Sequence, residues 1–151
     1  MMRTVEVTRT IAAPPERIFD LLTDHARYDR FRGIRGSELL SEGEPRPNGV
    51  GATRRVLIGP LRFDEEVTGF VRPSKLDYLI VRINFPFEHE GGHIRLSEDG
   101  GTTKIEWRSS FRVPIPVVGR AVEFPWFIAL RRGFRRVLED VERMLSDDAR
   151  S

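Results

Sequence analysis

The sequence predicts an α+β fold in which an antiparallel sheet of about six to seven strands packs against a long C-terminal helix. The chain opens with an alternating strand pattern, and two short helical segments follow it. Successive strand patterns separated by short turns fill the middle, and such strands pair antiparallel. The last part has apolar residues at three- and four-residue spacing, as an amphipathic helix does. Helices segregated to one face of such a sheet characterise the α+β class.

Composition indicates one globular domain spanning residues 1–151. A chain of 151 residues buries roughly 68–70% of the surface that its unfolded form exposes, which is enough for one core. Hydrophobic residues make up 39% and charged residues 32%, as in soluble proteins. The chain has no cysteine, which excludes disulfides, thiolate nucleophiles and cysteine zinc sites.

Charge and hydropathy bear on partners and location. A net charge of +2 is too small to predict nucleic-acid binding. No apolar stretch approaches the roughly 20 residues that a membrane span needs, so stable membrane insertion is not expected. The N-terminus lacks the apolar centre of a signal peptide, and a cytoplasmic location is the default expectation. The chain also lacks zinc, P-loop, Rossmann and Gly-x-Ser-x-Gly motifs, so neither a metal nor a cofactor is predicted.

The first elements are a strand over 3–11 and a helix over 14–24. The strand places Val5 and Val7 on one face and charged residues on the other. Prolines at the start of the second segment favour the first helical turn, because that turn has no intrahelical use for the missing N–H. A second short helix is expected over 25–31, and Gly33 ends it.

The sheet continues through strands separated by turn residues. Gly59-Pro60 and Asp99-Gly100-Gly101 read as tight turns, and RPSK at 72–75 is a third. The strand candidates run over 34–43, 50–58, 61–71, 76–85, 87–98 and 102–113.

The C-terminal helix is expected to begin at or near Pro125 and to reach about Leu145. Its apolar stripe should face the sheet, and four arginines that follow the first apolar residues should form a solvated face. Trp126 and Ile128 lie outside the stripe. Together with the apolar segment 113–119 they suggest an apolar entrance to the pocket. Transient contact with a membrane is an alternative role for them. The stripe comprises Phe127, Leu130, Phe134, Leu138, Val141 and Leu145.

Three stretches carry a family resemblance: VEVTRTIAAPPERIFDLLTD, EEVTGFVRPSKLDY and EDGGTTKIEW. With the order of elements, they resemble the START-like SRPBCC superfamily, in particular its polyketide cyclase/dehydrase and lipid-transport group. The resemblance covers nearly the whole chain and implies a single helix-grip domain, in which a curved sheet wraps the C-terminal helix around a deep pocket. Members bind lipids, hormones, polyketides and other apolar ligands, and some are cyclases or dehydratases. The family has no universal catalytic motif, so the resemblance assigns no catalytic residue.

Charges that interrupt apolar strand faces point to the pocket. A two-residue turn at Gly59-Pro60 would place Arg54 opposite Glu65, and the next turn would place Glu65 opposite Arg82. Buried charges are costly unless they are paired, so a row of charged side chains on the pocket face suggests a cavity that holds water or a polar group of a ligand. The rival interpretation is a structural ion pair, and a single bulge in strand 76–85 would exchange its faces.

Strand 87–98 offers further polar candidates. Glu88 and Glu90 are an even number of residues from Ile94, so the alternation of the strand places them on the same, inward face. We expect Glu88 at the solvent-exposed end of the pocket and keep Glu90 as a candidate general acid or base. His89 and His93 lie about 13 Å apart by the strand rise, so we interpret them as a surface pair and not as a metal site.

Aromatic and hydroxyl residues complete the predicted pocket. Tyr28 and Phe31 could cap its mouth in a helix-grip fold. The candidates for proton transfer are Glu65, Glu90 and Tyr78. The residues expected to contact ligand are Arg54, Glu65, Tyr78, Arg82, Glu90, Trp107, Ser109, Phe111, Phe127, Leu130 and Phe134.

Three functions remain open at this point. The first is a protein that binds an apolar or amphipathic small molecule, because ligand pockets are mostly apolar with a few polar groups. The second is an enzyme of the cyclase or dehydratase type acting on such a ligand. The third is a protein-interaction module of cochaperone or antitoxin type, which a core without a cavity of at least ~300 Å³ would favour. The sequence leaves the ligand, any reaction and the oligomeric state undetermined.

Overall fold

The computed structural model describes residues 2–150, in which a seven-stranded antiparallel sheet curves around a C-terminal helix. The order of the strands across the sheet is β1-β7-β6-β5-β4-β3-β2, so the first strand pairs with the last. The strands are β1 (Arg3–Ile11), β2 (Gly36–Ser41), β3 (Thr53–Ile58), β4 (Leu61–Val71), β5 (Lys75–Ile83), β6 (Glu88–Asp99) and β7 (Thr102–Arg112). The predicted α+β helix-grip fold is confirmed.

Two short helices connect β1 to β2, as predicted. Helix α1 covers Pro15–Leu22, with proline in its first turn, and a 3₁₀ helix covers His25–Arg30. The predicted strand over 50–58 begins later, at Thr53, because the preceding residues form a loop closed by a bridge between Glu44 and Val50.

The C-terminal helix, α2, covers Gly119–Arg150, so the prediction that it begins at Pro125 is wrong. Tertiary contacts stabilise the additional turns. The buried carboxylate of Glu123 accepts hydrogen bonds from the Val113 backbone N–H, at 2.9 Å, and from Arg3 Nε, at 3.0 Å. These contacts anchor the first turns against the end of β7. Pro125 therefore lies inside the helix, where it removes one backbone hydrogen bond.

The apolar stripe of α2 packs on the sheet as predicted. Leu138 and Val141 are fully buried, and the Phe134 ring stacks on Trp107 with centroids 4.1 Å apart. Phe127 and Leu130 are half-buried against the same core. The arginines on the opposite side, Arg131, Arg132, Arg135 and Arg136, are exposed as predicted.

Trp126 and Ile128, which lie outside the stripe, are not exposed, although Val117, Val118 and Phe124 near the start of α2 are. Trp126 is half-buried between Phe85 and Phe87, with ring centroids 5.1 and 4.8 Å away, and Ile128 is also half-buried. The transient membrane contact considered above required both to be exposed. Across residues 2–150, no helix combines the length and the apolar character needed to cross a bilayer.

Candidate functional site

A cavity of about 350 Å³ lies between the sheet and α2. Its walls come from β3, β4, β5 and β7, from α2, and from the segment that follows the 3₁₀ helix. The apolar part of the lining comprises Ile34, Val56, Ile58, Phe63, Ile80, Phe87, Trp107, Ala129, Leu130, Phe134 and Val137. A cavity of this size and apolarity is typical of a small-molecule site.

An ion pair between Arg54 and Glu65 forms the most polar part of the wall. The two residues are cross-strand partners, as the two-residue turn predicted, and Arg54 Nε lies 2.5 Å from Glu65 Oε1. Arg54 is 4% and Glu65 is 6% exposed. Burial is the largest cause and would lower the pKa of Arg54, but Glu65 and Tyr28 together outweigh it and raise that pKa above its ordinary value. Arg54 is therefore charged, and its closest partner in the wall is the Glu65 carboxylate.

Aromatic and imidazole groups surround the Arg54 guanidinium. Its Cζ lies 4.1 Å from the centroid of the Tyr28 ring, in cation–π geometry, and its Nη1 donates to His25 Nδ1 at 3.2 Å. Burial, with the Arg54 charge second, lowers the pKa of His25 to about 3, so His25 is neutral at pH 7. The Tyr28 hydroxyl is buried and has no hydrogen-bond partner among residues 2–150. Tyr28 lines the cavity but is only 3% exposed, and Phe31, the other residue expected to cap the mouth, is buried outside the lining.

The Tyr78 ring lies across β6 because Gly92 has no side chain. A Cβ at Gly92 would be 2.1 Å from Tyr78 Cζ, so only glycine leaves room for the ring. Tyr78 Oη thereby reaches Trp107, whose indole Nε1 donates to it at 2.8 Å. The pKa of Tyr78 is raised, chiefly by burial and next by the Glu65 carboxylate. Its hydroxyl therefore stays protonated.

The His89 imidazole fills a gap between β5 and β6. These strands pair from Lys75 to Tyr78 and then separate, and the Ile80 N–H donates to His89 Nδ1 at 2.9 Å instead of to β6. His89 Nε2 lies 2.8 Å from Ser109 Oγ. Burial, with His93 contributing less, lowers the pKa of His89 to about 4.

The mouth of the cavity is lined by arginines. Arg32, Arg132 and Arg136 border the cavity and are exposed to solvent. Arg32 is held by Asp140, through its Nε at 2.7 Å and its backbone N–H at 2.8 Å. Gly133 lies among the wall residues of α2, and a Cβ there would have no heavy atom within 4 Å. The space beside Gly133 is therefore open.

Seven of the eleven predicted ligand-contact residues line the cavity, and four do not. The seven are Arg54, Glu65, Tyr78, Trp107, Ser109, Leu130 and Phe134. Two others, Phe111 and Phe127, pack in the core outside the lining; Phe111 is fully buried and stacks on Phe87 with centroids 5.3 Å apart.

The inward placement of Arg82 and Glu90 is wrong, and β-bulges are the reason. An irregularity between Asp64 and Glu65 pairs Arg82 with Asp64, so Arg82 lies on the outer face. A second irregularity, between His89 and Gly91, exchanges the faces of β6, so Glu90 is exposed.

The same bulge brings inward a residue that the alternation pattern misplaced. His89 lies on the cavity side, whereas His93 is exposed and bonded to Asp77 at 2.7 Å, so the two are not a surface pair. Adjacent glycines at Gly91-Gly92 are the sequence signal that could have indicated a bulge here. His25 was also missed, since nothing local to the 3₁₀ helix shows that it meets Arg54. No group of three His, Cys, Asp or Glu side chains suited to a metal occurs within residues 2–150.

The fold and the cavity define a helix-grip protein with a small-molecule-sized interior. The family model described as "Polyketide cyclase / dehydrase and lipid transport" matches residues 2–145, and the chain belongs to this family. A comparison with curated proteins finds no match.

Solved structures share the fold at low sequence identity. The Zhui aromatase/cyclase from Streptomyces sp. R1128 is 20% identical, with a TM-score of 0.80 over 100% of this chain and 98% of that one. Ara h 8.0201 is 14% identical, with a TM-score of 0.77 over 97% and 99% of the two chains. TTHA0849 from Thermus thermophilus is 18% identical, with a TM-score of 0.77 over 93% and 95%. At these identities the likeness concerns the fold.

Proposed function

We propose that this protein binds an apolar or amphipathic small molecule, such as a lipid or a polyketide, in the cavity between its sheet and α2. The observation that carries the proposal is the cavity itself, about 350 Å³ and walled mainly by aliphatic and aromatic side chains. A volume above ~300 Å³ fits a ligand pocket and argues against an interaction module with a filled core.

The polar groups of the wall favour binding over catalysis. Arg54 is bonded to Glu65, Trp107 to Tyr78, and His89 to Ser109. The Glu65 carboxylate is engaged by the Arg54 guanidinium through hydrogen bonds instead of being presented alone to a ligand. These contacts support a site that orients its ligand.

A cyclase or dehydratase activity is the second candidate. It is favoured by the Tyr78 and Ser109 hydroxyls, which border the cavity and could orient a reactive chain. The family includes cyclases and dehydratases by its description. Conversion of a bound ligand, in addition to its retention, would distinguish this candidate.

Fluorescence titration with N-phenyl-1-naphthylamine, a neutral apolar probe, tests the binding proposal. We expect saturable binding with one probe per chain. Gly133→Leu should weaken it at least tenfold, because the new side chain would extend into the open space beside α2. Ser146→Leu, on an exposed position of the same helix, is the matched control and should bind as the wild type does. Absence of saturable binding, or equal binding by Gly133→Leu, would overturn the proposal.

A further inference from the structure

Two hydroxyl groups in the cavity wall each accept a hydrogen bond from a fixed donor of the protein. Tyr78 and Ser109 belong to one cross-strand row, in which each pairs with Gly92 of β6. Both side chains line the cavity. Their hydrogen-bond partners determine which groups they can offer to a ligand.

The direction of the bond to Ser109 follows from the backbone. The Ile80 N–H can only donate, so His89 Nδ1 must accept, and the proton of the neutral ring is therefore on Nε2. Nε2 then donates to Ser109 Oγ. The hydroxyl proton of Ser109 has no acceptor among residues 2–150 and is available as a donor.

The same reasoning applies to Tyr78. The Trp107 indole has no acceptor atom, so its Nε1–H donates to Tyr78 Oη. The phenolic proton of Tyr78 likewise has no acceptor among the described residues. A buried hydroxyl donor without an acceptor is unfavourable, and an acceptor atom on the ligand would remove this cost.

The wall around the Arg54–Glu65 pair favours a neutral acceptor, whereas the arginines Arg32, Arg132 and Arg136 border the cavity at its exposed mouth. Arg54 and Glu65, which border the same cavity, neutralise each other, so this part of the wall carries no net charge to attract an anion. A carbonyl oxygen accepts two hydrogen bonds and donates none, which suits two hydroxyl donors that border the same cavity.

We propose that the Tyr78 and Ser109 hydroxyls form a donor subsite for a carbonyl oxygen, as in a ketone or an ester, of the molecule that occupies the cavity. The proposal rests on the binding function proposed above. It assigns His89 and Trp107 as positioning residues, because each holds one hydroxyl with its proton free for the ligand.

Two naphthalenes of similar shape test the subsite: 2-acetylnaphthalene, which has the carbonyl, and 2-isopropylnaphthalene, which lacks it. Their dissociation constants are measured by displacement of N-phenyl-1-naphthylamine. We expect the ratio of the acetyl to the isopropyl constant to rise about threefold to tenfold in Ser109→Ala and in Tyr78→Phe, as the loss of a neutral hydrogen bond predicts. A ratio taken within one variant is insensitive to destabilisation that weakens both ligands alike.

Ser110→Ala is the matched control. Ser110 is the next residue of β7, on the outer face, where its hydroxyl pairs with Thr4 at 2.9 Å. This variant should keep the wild-type ratio. The infrared carbonyl stretch of bound 2-acetylnaphthalene gives a second readout: it should be lowered by the wild type relative to hexane and should move back up in each cavity variant.

The outcomes separate the two proposals. An unchanged ratio and an unshifted carbonyl stretch, with both naphthalenes bound, would overturn the subsite and leave the binding function standing. Failure of the wild type to bind N-phenyl-1-naphthylamine would remove the binding function and this subsite with it.

Discussion

At the scale of single residues, the buried charges of Arg54 and Glu65 depend on each other. Removing both from water is costly, and their mutual attraction and hydrogen bonds offset that cost only while both are present. The outer face of the sheet offers a contrast: Glu88 and Arg112 are also cross-strand partners, but both are about half exposed, and such pairs contribute little.

We therefore predict that Glu65→Leu lowers the free energy of unfolding by about 3–5 kcal/mol, since it leaves Arg54 buried without its partner. The double variant Arg54→Met/Glu65→Leu should recover most of this loss. Glu88→Leu, the control, should change stability by less than about 1 kcal/mol. Urea unfolding measures all three. A double variant as unstable as Glu65→Leu would contradict the expectation.

Two histidines with lowered pKa values, the buried His25 and the half-buried His89, make stability depend on pH. The pKa is lowered to about 3 for His25 and to about 4 for His89, against about 6.5 in the unfolded chain. Below pH 6.5 the unfolded state binds protons that the folded state does not, so stability is full above pH 6.5 and falls as the pH approaches 4.

We expect each histidine to account for up to about 2 kcal/mol of lost stability at pH 5 relative to pH 8. Urea unfolding at both pH values should show a smaller difference in His25→Gln and in His89→Gln than in the wild type. The smallest difference should occur in the double variant. An identical pH dependence in the double variant and the wild type would refute this assignment.

At the scale of elements, two glycines have opposite surroundings. Gly133 lies in α2 beside open space, so its only structural effect is the low helix propensity of glycine. Gly92 lies in β6 directly under the Tyr78 ring. One glycine leaves space for a ligand, and the other leaves space for a side chain that the site needs.

Alanine substitutions should therefore act in opposite directions. Gly133→Ala should raise the free energy of unfolding by about 0.5–1 kcal/mol, because a helical alanine fits there without a clash. Gly92→Ala should lower it by about 1–3 kcal/mol, because the Tyr78 ring must move away from Trp107. Thermal or urea unfolding checks both signs, and a destabilising Gly133→Ala would show that the space beside α2 is filled.

At the scale of the whole molecule, the cavity couples ligand binding to stability. A ligand that binds only the folded state stabilises it by about 2.7 kcal/mol at one hundred times its dissociation constant. Because the cavity walls come from both the sheet and α2, unfolding of either removes the site.

Calorimetry should detect this coupling with N-phenyl-1-naphthylamine. For a domain of this size, we expect the melting temperature to rise by about 5–10 °C at one hundred times the dissociation constant. Gly133→Leu, whose cavity is occluded, should show little or no rise at the same probe concentration. A probe that binds the wild type without raising its melting temperature would have to bind outside the folded cavity.

Local patterns in the sequence determined the order of the elements, the α+β class and the pairing of Arg54 with Glu65, and the family resemblance added the helix-grip fold. Alternation with a period of two identifies a strand, and the two-residue turn at Gly59-Pro60 sets the register of β3 and β4 by itself. These features depend on neighbours in the chain, which is why the sequence was sufficient to predict them.

Only the tertiary structure decided which way the polar residues beyond the bulges point. A bulge shifts the side-chain alternation by one residue, and whether it forms depends on the strand alongside. Arg82 and Glu90 consequently face outward and His89 faces inward, where the separation of β5 from β6 gives its ring a backbone partner. The early start of α2 has the same kind of cause, because Glu123 finds its partners in Arg3 of β1 and in the backbone of Val113, which follows β7.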